Sequence, residues 1–362
     1  MIHNNHASQV VLEPDQDYIG KQQLKEKEYI EEYMLQITPE EKQEIADHEE
    51  KLKTWQATRE DLLSLPQLDL ADINTSWELP QLLIKNKKNR KNLYYVADTN
   101  GLVYLNLYFD ASYIPQESLN ELFLLSHIIT QIEKEDMFLY TDGLNSEIVA
   151  IPKVDQYTKY DPKLKLSVCM KQEDISKIFE ILSNLAHDST IKEPQWLLTQ
   201  VRKIRSQYEY YLYSKPLEVI SVAINNSQEG ASQYEYQQLI PFYQYICQIE
   251  EDFEQYQEQV IKKLNMISAS IFNKNKVILG ATVEENSIKK IEKSYKKYYK
   301  NLDDTHYPTV SYDFDIQHKK QGFPIASDVQ YIVYGGNYKQ AGGLYEGALY
   351  VLNNILNTDY ML

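Results

Sequence analysis

The chain has 362 residues, 43% hydrophobic and 25% charged, with a net charge of −16 at pH 7. That length accommodates two or more domains and a substantial core. The acidic balance argues against a nucleic-acid or anionic-membrane partner, since both reward a net basic surface. Two local basic runs, Lys85 to Lys91 and Lys289 to Lys300, read as solvated faces. The two cysteines, Cys169 and Cys247, sit in apolar runs and are expected to be buried free thiols in a reducing compartment. No stretch reaches the roughly 18 apolar residues of a membrane span, and the start of the chain lacks a basic-then-apolar leader pattern. The expectation is a soluble cytoplasmic protein, with an organelle matrix as the alternative.

In chain order, Asn4 to Asp15 holds one extended apolar piece, Val10-Val11-Leu12, closed by Glu13-Pro14. Residues 16 to about 35 are strong helix formers with Tyr18, Leu24, Tyr29, Ile30, Tyr33 and Met34 on one side. Thr38-Pro39-Glu40-Glu41 combines a capping threonine, a first-turn proline and a glutamate that completes a capping box. A second helix runs from there to about Trp55. The apolar pattern is too short and irregular for a coiled coil, so the pair reads as a helical-hairpin linker.

Leu93 to Phe109 reads as two strands joined in a hairpin at Asn100-Gly101. Pro115-Gln116-Glu117 starts a helix that turns Leu119, Leu122, Phe123, Leu125, Ile128 and Ile129 to a core. Leu164 to Met170 is a strand, and Glu173-Asp174-Ile175 opens the helix after it. Two long helices are expected over Gln195 to about Val222 and Gln238 to about Phe272. Lys276 to Gly280 is a strand, Glu284 to about Leu302 a closing helix, and Asp303 to Gln321 a polar link. Without a regular βαβ repeat, this is an α+β arrangement with helices packed on a mixed sheet. The last stretch, from Gly322, offers an apolar run over Val329 to Tyr334, a break at Gly335-Gly336, and a helix pattern through Leu344, Ala348, Val351, Leu352, Ile355 and Leu356. A strand and a helix cannot bury their faces alone, so this reads as the opening of a further, incomplete domain.

Catalytic apparatus is not visible in the chain. The histidines are His3, His6, His48, His127, His187, His306 and His318, and none has the partners of a zinc-hydrolase helix at the required offsets. His127 reads as a core or subsurface histidine, and the spacing of His3 and His6 belongs to a tail. Both thiols lack an adjacent base or cation. Gly335, Gly336, Gly342 and Gly343 lack the Lys-Ser/Thr partner of a phosphate loop and read as turns. The 31 tyrosines leave a tyrosine-lined peptide groove open beside the plainer reading as core and helix surface.

Several stretches carry a resemblance. They are the terminal F-x-I-x-S-D-V-Q-Y, G-G-N and G-A-L-x-V-L-x-N-I-L series, the run Glu60 to Ile73, and Thr199 to Tyr208. Asn5-His6 followed by Val10 to Asp15 adds to them. Together they resemble the insulinase-type zinc metallopeptidases, in particular the presequence-protease subgroup, whose halves close like a clamshell around peptides. The resemblance implies four parts: 1–15, the last strand of a preceding domain or a tail; 16–70, the hairpin linker; 71–320, the α+β peptidase-associated domain; and 321–362, the first strand and helix of an incomplete domain. A chain cut at both ends is the corresponding expectation. The family's H-x-x-E-H zinc site belongs to an N-terminal half, so zinc is expected there and no cofactor, metal or catalytic residue is assigned to this chain. An assisting arginine and tyrosine of the family would follow Asp359-Tyr360. The implied function is a non-catalytic segment that closes the chamber over short unfolded peptides, inactive alone. Its partners would be the catalytic half, in the same or a separate chain, and those peptides. A free-standing peptide-binding or scaffold protein on the same fold is the alternative.

Overall fold

The structure, a computed structural model, describes residues 18–57, 69–72, 81–87, 90–132, 137–154, 156–227, 230–315, 320–324, 329–336, 338, 341–344 and 346–356. The expected strand at Val10–Leu12, most of the run Glu60 to Ile73, and the final Tyr360 lie outside them. Contacts divide the chain into two units, 1–78 and 79–362.

In the first unit, α1 (Tyr18–Gln36) and α2 (Pro39–Ala57) meet at Ile37-Thr38. The capping box forms as the residue types require. The Thr38 amide donates to Glu41 Oε2 at 2.8 Å, and the Glu41 amide donates to Thr38 Oγ1 at 3.2 Å. Leu24, Tyr29, Ile30, Tyr33, Leu52 and Trp55 are exposed.

The second unit is built on a six-stranded sheet. Its strands are β1 (Gln81–Lys87), β2 (Arg90–Val96), β3 (Leu102–Asp110), β4 (Thr141–Lys153), β5 (Gln156–Lys171) and β6 (Ile278–Val283), in the order β1-β2-β6-β3-β5-β4. Among the described strand pairs only β2–β6 is parallel. The hairpin expected at Asn100-Gly101 is therefore not a hairpin. The turn itself is there: both residues have positive φ (54° and 78°), and the Leu102 amide donates to the Thr99 carbonyl at 3.1 Å. Instead of pairing, β2 and β3 are held apart by β6, which arrives from far along the chain and bonds to both. The turn is tied to the end of β6 by a bond from the Gly101 amide to Glu284 Oε1 at 2.7 Å.

Alternation sets which side of the sheet is covered. Val103, Leu105, Leu107 and Phe109 of β3, Leu164, Leu166, Val168 and Met170 of β5, and Leu279, Ala281 and Val283 of β6 are buried and share one core with the helices. In α3 (Leu119–Ile128) every residue but Asn120 and His127 is buried, as expected of a helix apolar nearly all round. α4 (Ile175–Asp188) buries Ile175, Ile178, Phe179, Ile181, Leu182 and Leu185.

The two long helices expected from the sequence are each broken. α5 (Pro194–Ser214) stops at Lys215, whose extended φ of −128° suits the residue before a proline, and α6 (Pro216–Ala223) starts at once. After the short α7 (Ala231–Gln237), α8 (Ile240–Glu251) and α9 (Phe253–Ile271) are separated by Asp252, with φ −115° and ψ 38°. α10 (Glu285–Asn301) packs Tyr295 and Tyr298 around Phe179, at 6.1 and 5.8 Å between ring centroids.

The first part of the segment read as a polar link is bound to the domain. The Val310 amide donates to the Ser112 carbonyl at 2.9 Å, and Gln116 exchanges two hydrogen bonds with the Asp313 backbone at 2.8 and 3.0 Å. Tyr312 and Phe314 pack against Tyr234, so aromatic burial fixes the segment in place. Farther on, α11 (Gly347–Ile355) forms where the helix pattern places it, and its described side chains are largely exposed. Val329 to Tyr334 forms no strand, which fits the need of a lone strand for a neighbour.

Candidate functional site

Among the described residues of the second unit, the face of the sheet turned away from its helices is open, and pairing register aligns its side chains in rows across the strands. One row runs Leu82, Tyr95, Thr282, Tyr104, Cys169; another runs Asn86, Lys91, Ile278, Tyr108, Lys165, Glu147. Between them lies Ile84, Leu93, Gly280, Asn106, Ser167, Asn145. Side chains on one face recur every second residue, so neighbouring rows stand about 7 Å apart. Over β6, β3 and β5 the middle row is short and polar while the flanking rows carry Tyr104 and Tyr108. The result is a shallow trough across the strands with a tyrosine on each bank.

Gly280 sits in its floor. A Cβ there would stand 3.8 Å from the Tyr108 ring and 3.9 Å from the Asn106 Cβ, ordinary contacts. Packing does not demand the glycine; its effect is to keep the floor of the trough low beside the Tyr108 ring. Leu82, Ile84, Tyr95 and Tyr104 are 41%, 53%, 44% and 45% exposed, so this face presents apolar and aromatic surface to solvent. At its polar end Lys165 Nζ donates to Glu147 Oε1 at 2.6 Å, and that bond holds the ammonium above its ordinary pKa. Such a surface is suited to extended peptide: tyrosines offer flat contact with a polar tip, and amide and hydroxyl side chains can meet main-chain groups.

Cys169 lies on this face. Alternation turns Val168 and Met170 inward and leaves the thiol half-buried rather than buried as expected, and Cys247 on α8 is likewise half-buried. Partial burial, then the charge of Asp142, push the Cys169 thiol up, so it stays protonated and unreactive.

The remaining residues singled out in the sequence do not converge. His48 lies on α2, His127 on α3, His187 at the end of α4 and His306 beyond α10, while His3, His6 and His318 lie outside the described residues. His127 Nε2 is 3.2 Å from the Tyr208 hydroxyl, which itself donates to the Gln238 carbonyl at 3.0 Å, so the histidine Nε2–H is the donor. Its ring stacks on Phe242 at 5.5 Å and 8°. Burial of that face pushes the imidazole down to about 4, and the edge left open to solvent limits the effect. Among the described residues no three His, Cys, Asp or Glu side chains are arranged to hold a metal ion. The sequence also contains no H-x-x-E-H, so the described residues offer no zinc site of that type. Gly342 has φ +85°, and the Gly343 amide bonds to the Tyr338 carbonyl at 2.9 Å, as in a turn.

Comparison with known proteins settles the family. The family model described as "Peptidase M-16C associated" matches residues 12–249, well over half of the chain. The chain belongs to this family. Curated relatives of this peptidase-associated chain include Protein HypA of Clostridium perfringens (strain 13 / Type A), 23% identical over 374 residues, with 100% of this chain and 38% of HypA covered. Presequence protease 1, chloroplastic/mitochondrial, of Arabidopsis thaliana is 22% identical over 384 residues, covering 100% of this chain and 35% of that protein. The resemblance to insulinase-type, presequence-protease-like peptidases read from the sequence therefore stands. The peptidase-associated chain spans little more than a third of the length of these two relatives. A solved structure of a protease from Helicobacter pylori aligns with a TM-score of 0.42 at 13% identity, over 64% of this chain and 54% of that one. No described helix is long and apolar enough to cross a membrane.

Proposed function

We propose that this chain is the non-catalytic part of a zinc metalloendopeptidase, the C-terminal-half segment that closes a chamber over short unfolded peptides, with the open face of its sheet contacting the enclosed substrate. The zinc and its ligands belong to a catalytic half, in the same or a separate chain. The observation that carries the reading is the trough of Gly280, Asn106, Ser167 and Asn145 between Tyr104 and Tyr108, on a face that the helices leave uncovered. Membership of a peptidase-associated family supports it. A folded protein cannot lay main chain along such a trough, whereas an extended peptide can, so confinement and the trough select the same substrates. Closure also excludes water from the reacting bond and completes a site built from two halves.

The test is steady-state kinetics of the assembled peptidase carrying Gly280→Val. Valine is a good strand former and its Cβ meets only ordinary contacts, so it raises the floor of the trough, and matching thermal unfolding of the variant checks that the fold is kept. The reading expects KM for a short peptide to rise several-fold with kcat and zinc content unchanged. An unchanged KM in a normally assembled variant would remove the open face from substrate binding.

A further inference from the structure

The two basic runs of the sequence, about 200 residues apart, meet at one edge of the sheet. Lys85 Nζ of β1 pairs with Glu292 Oε1 of α10 at 2.8 Å, and the Arg90 guanidinium of β2 lies 4.5 Å from the centre of the Tyr299 ring of α10. These two contacts set α10 against the β1–β2 edge. At about 100° per residue, Lys289, Lys293, Lys296, Lys297 and Lys300 all fall within an arc of roughly 100° beside the line from Glu292 to Tyr299. All five are exposed, and none makes a salt bridge among the described residues. The stripe is conspicuous on a chain whose net charge is −16.

Beside the stripe is a free sheet edge. Among the described residues β1 is the outermost strand, paired only with β2, so its other side presents unpaired backbone donors and acceptors. Leu82 and Ile84 of this strand are 41% and 53% exposed. An extended segment added to such an edge gains main-chain hydrogen bonds and side-chain contacts on alternate residues. The lysine stripe selects its charge.

We infer that the β1 edge together with the lysine face of α10 is a docking site for an extended acidic polypeptide segment. Charge complementarity identifies the occupant: a line of unpaired ammonium groups beside backbone able to add a strand favours a chain with alternating carboxylates. This surface lies at the sheet edge and does not depend on the open-face trough.

The experiment is fluorescence anisotropy of a labelled peptide of alternating glutamate and valine, titrated with the whole chain at low and high salt. A same-length lysine-valine peptide and a single-stranded RNA oligonucleotide are titrated in parallel. The expected result is binding of the glutamate-valine peptide that weakens as salt rises, since exposed charges are screened over about 10 Å at 0.1 M. Lys293→Glu/Lys296→Glu/Lys297→Glu should weaken it by roughly tenfold or more, while Lys→Arg at the same positions retains it. All three lysines are exposed, so neither set disturbs the core, and matching circular dichroism confirms it. Equal binding of the lysine-valine peptide, no effect of charge reversal, or tighter binding of RNA than of the acidic peptide would each overturn the assignment.

Discussion

Asp110→Asn is the perturbation whose consequence follows most directly from the structure. Asp110 ends β3 opposite Lys163 of β5, with Oδ1 3.0 Å from the ammonium. Its Oδ2 accepts from Ser112 Oγ at 2.9 Å and lies 3.2 Å from Lys276 Nζ. The two principal partners are 8% and 4% exposed, so this pair is genuinely inside. Burial alone would raise the Asp110 pKa. The charge and hydrogen bond of Lys163, the Ser112 hydroxyl and the charge of Lys276 outweigh it and hold the carboxyl below its ordinary value. Asparagine keeps the shape but leaves the Lys163 ammonium buried without a counter-charge, a loss of about 3 kcal/mol at pH 7. Lys276 is half-exposed and returns to water at little cost. Urea unfolding followed by circular dichroism measures the difference.

The acid dependence gives a second reading of the same pair. A depressed folded-state pKa stabilises above the unfolded value of about 3.9 and ceases to do so as pH falls through the folded value. The gap between the parent and Asp110→Asn should therefore be full near neutrality and shrink below about pH 4. The site also anchors the segment after α10, because Lys276 Nζ donates to Thr309 Oγ1 at 3.1 Å next to the Val310–Ser112 backbone bond. Hydrogen exchange at Val310 should accelerate in the variant. A loss under about 1 kcal/mol, or a gap that does not shrink in acid, would refute this account of the pair.

Two further substitutions test the fold. Gly101→Ala meets no atom within 4 Å but must adopt φ +78°, so it should destabilise by about 1–2 kcal/mol through backbone strain alone, measured by urea unfolding. Tyr298→Phe removes a buried hydroxyl that has no hydrogen-bond partner among the described residues, and should leave the melting temperature unchanged or raised; a clear drop would mean that the hydroxyl is satisfied.

The sequence disclosed helices better than sheet order, for physical reasons that particular residues make plain. Apolar spacing marked α10 to within a residue and α3 with a start a few residues early, and Thr38-Glu41 announced its own cap, because these signals are local. Asn100-Gly101 announced a turn equally well, yet whether the flanking strands pair depends on β6, which competes for both from far down the chain. β4 escaped notice because a Gly143 bulge and polar outward residues mask its alternation. Pro216 was a readable stop, whereas nothing around Asp252 marks the break between α8 and α9. Tyr312 and Phe314 were the signal that the segment after α10 packs rather than links. The trough was illegible in one dimension: Asn106 and Ser167 read as ordinary polar strand residues until register sets them in line with Gly280.

The measurement that bears most directly on the central claim is hydrolysis of a short unfolded peptide by this chain alone, with zinc supplied, and then by the assembled peptidase that contains it. The account predicts no turnover by the chain alone and chelator-sensitive turnover by the assembled peptidase. Zinc-dependent hydrolysis by the isolated chain would contradict it.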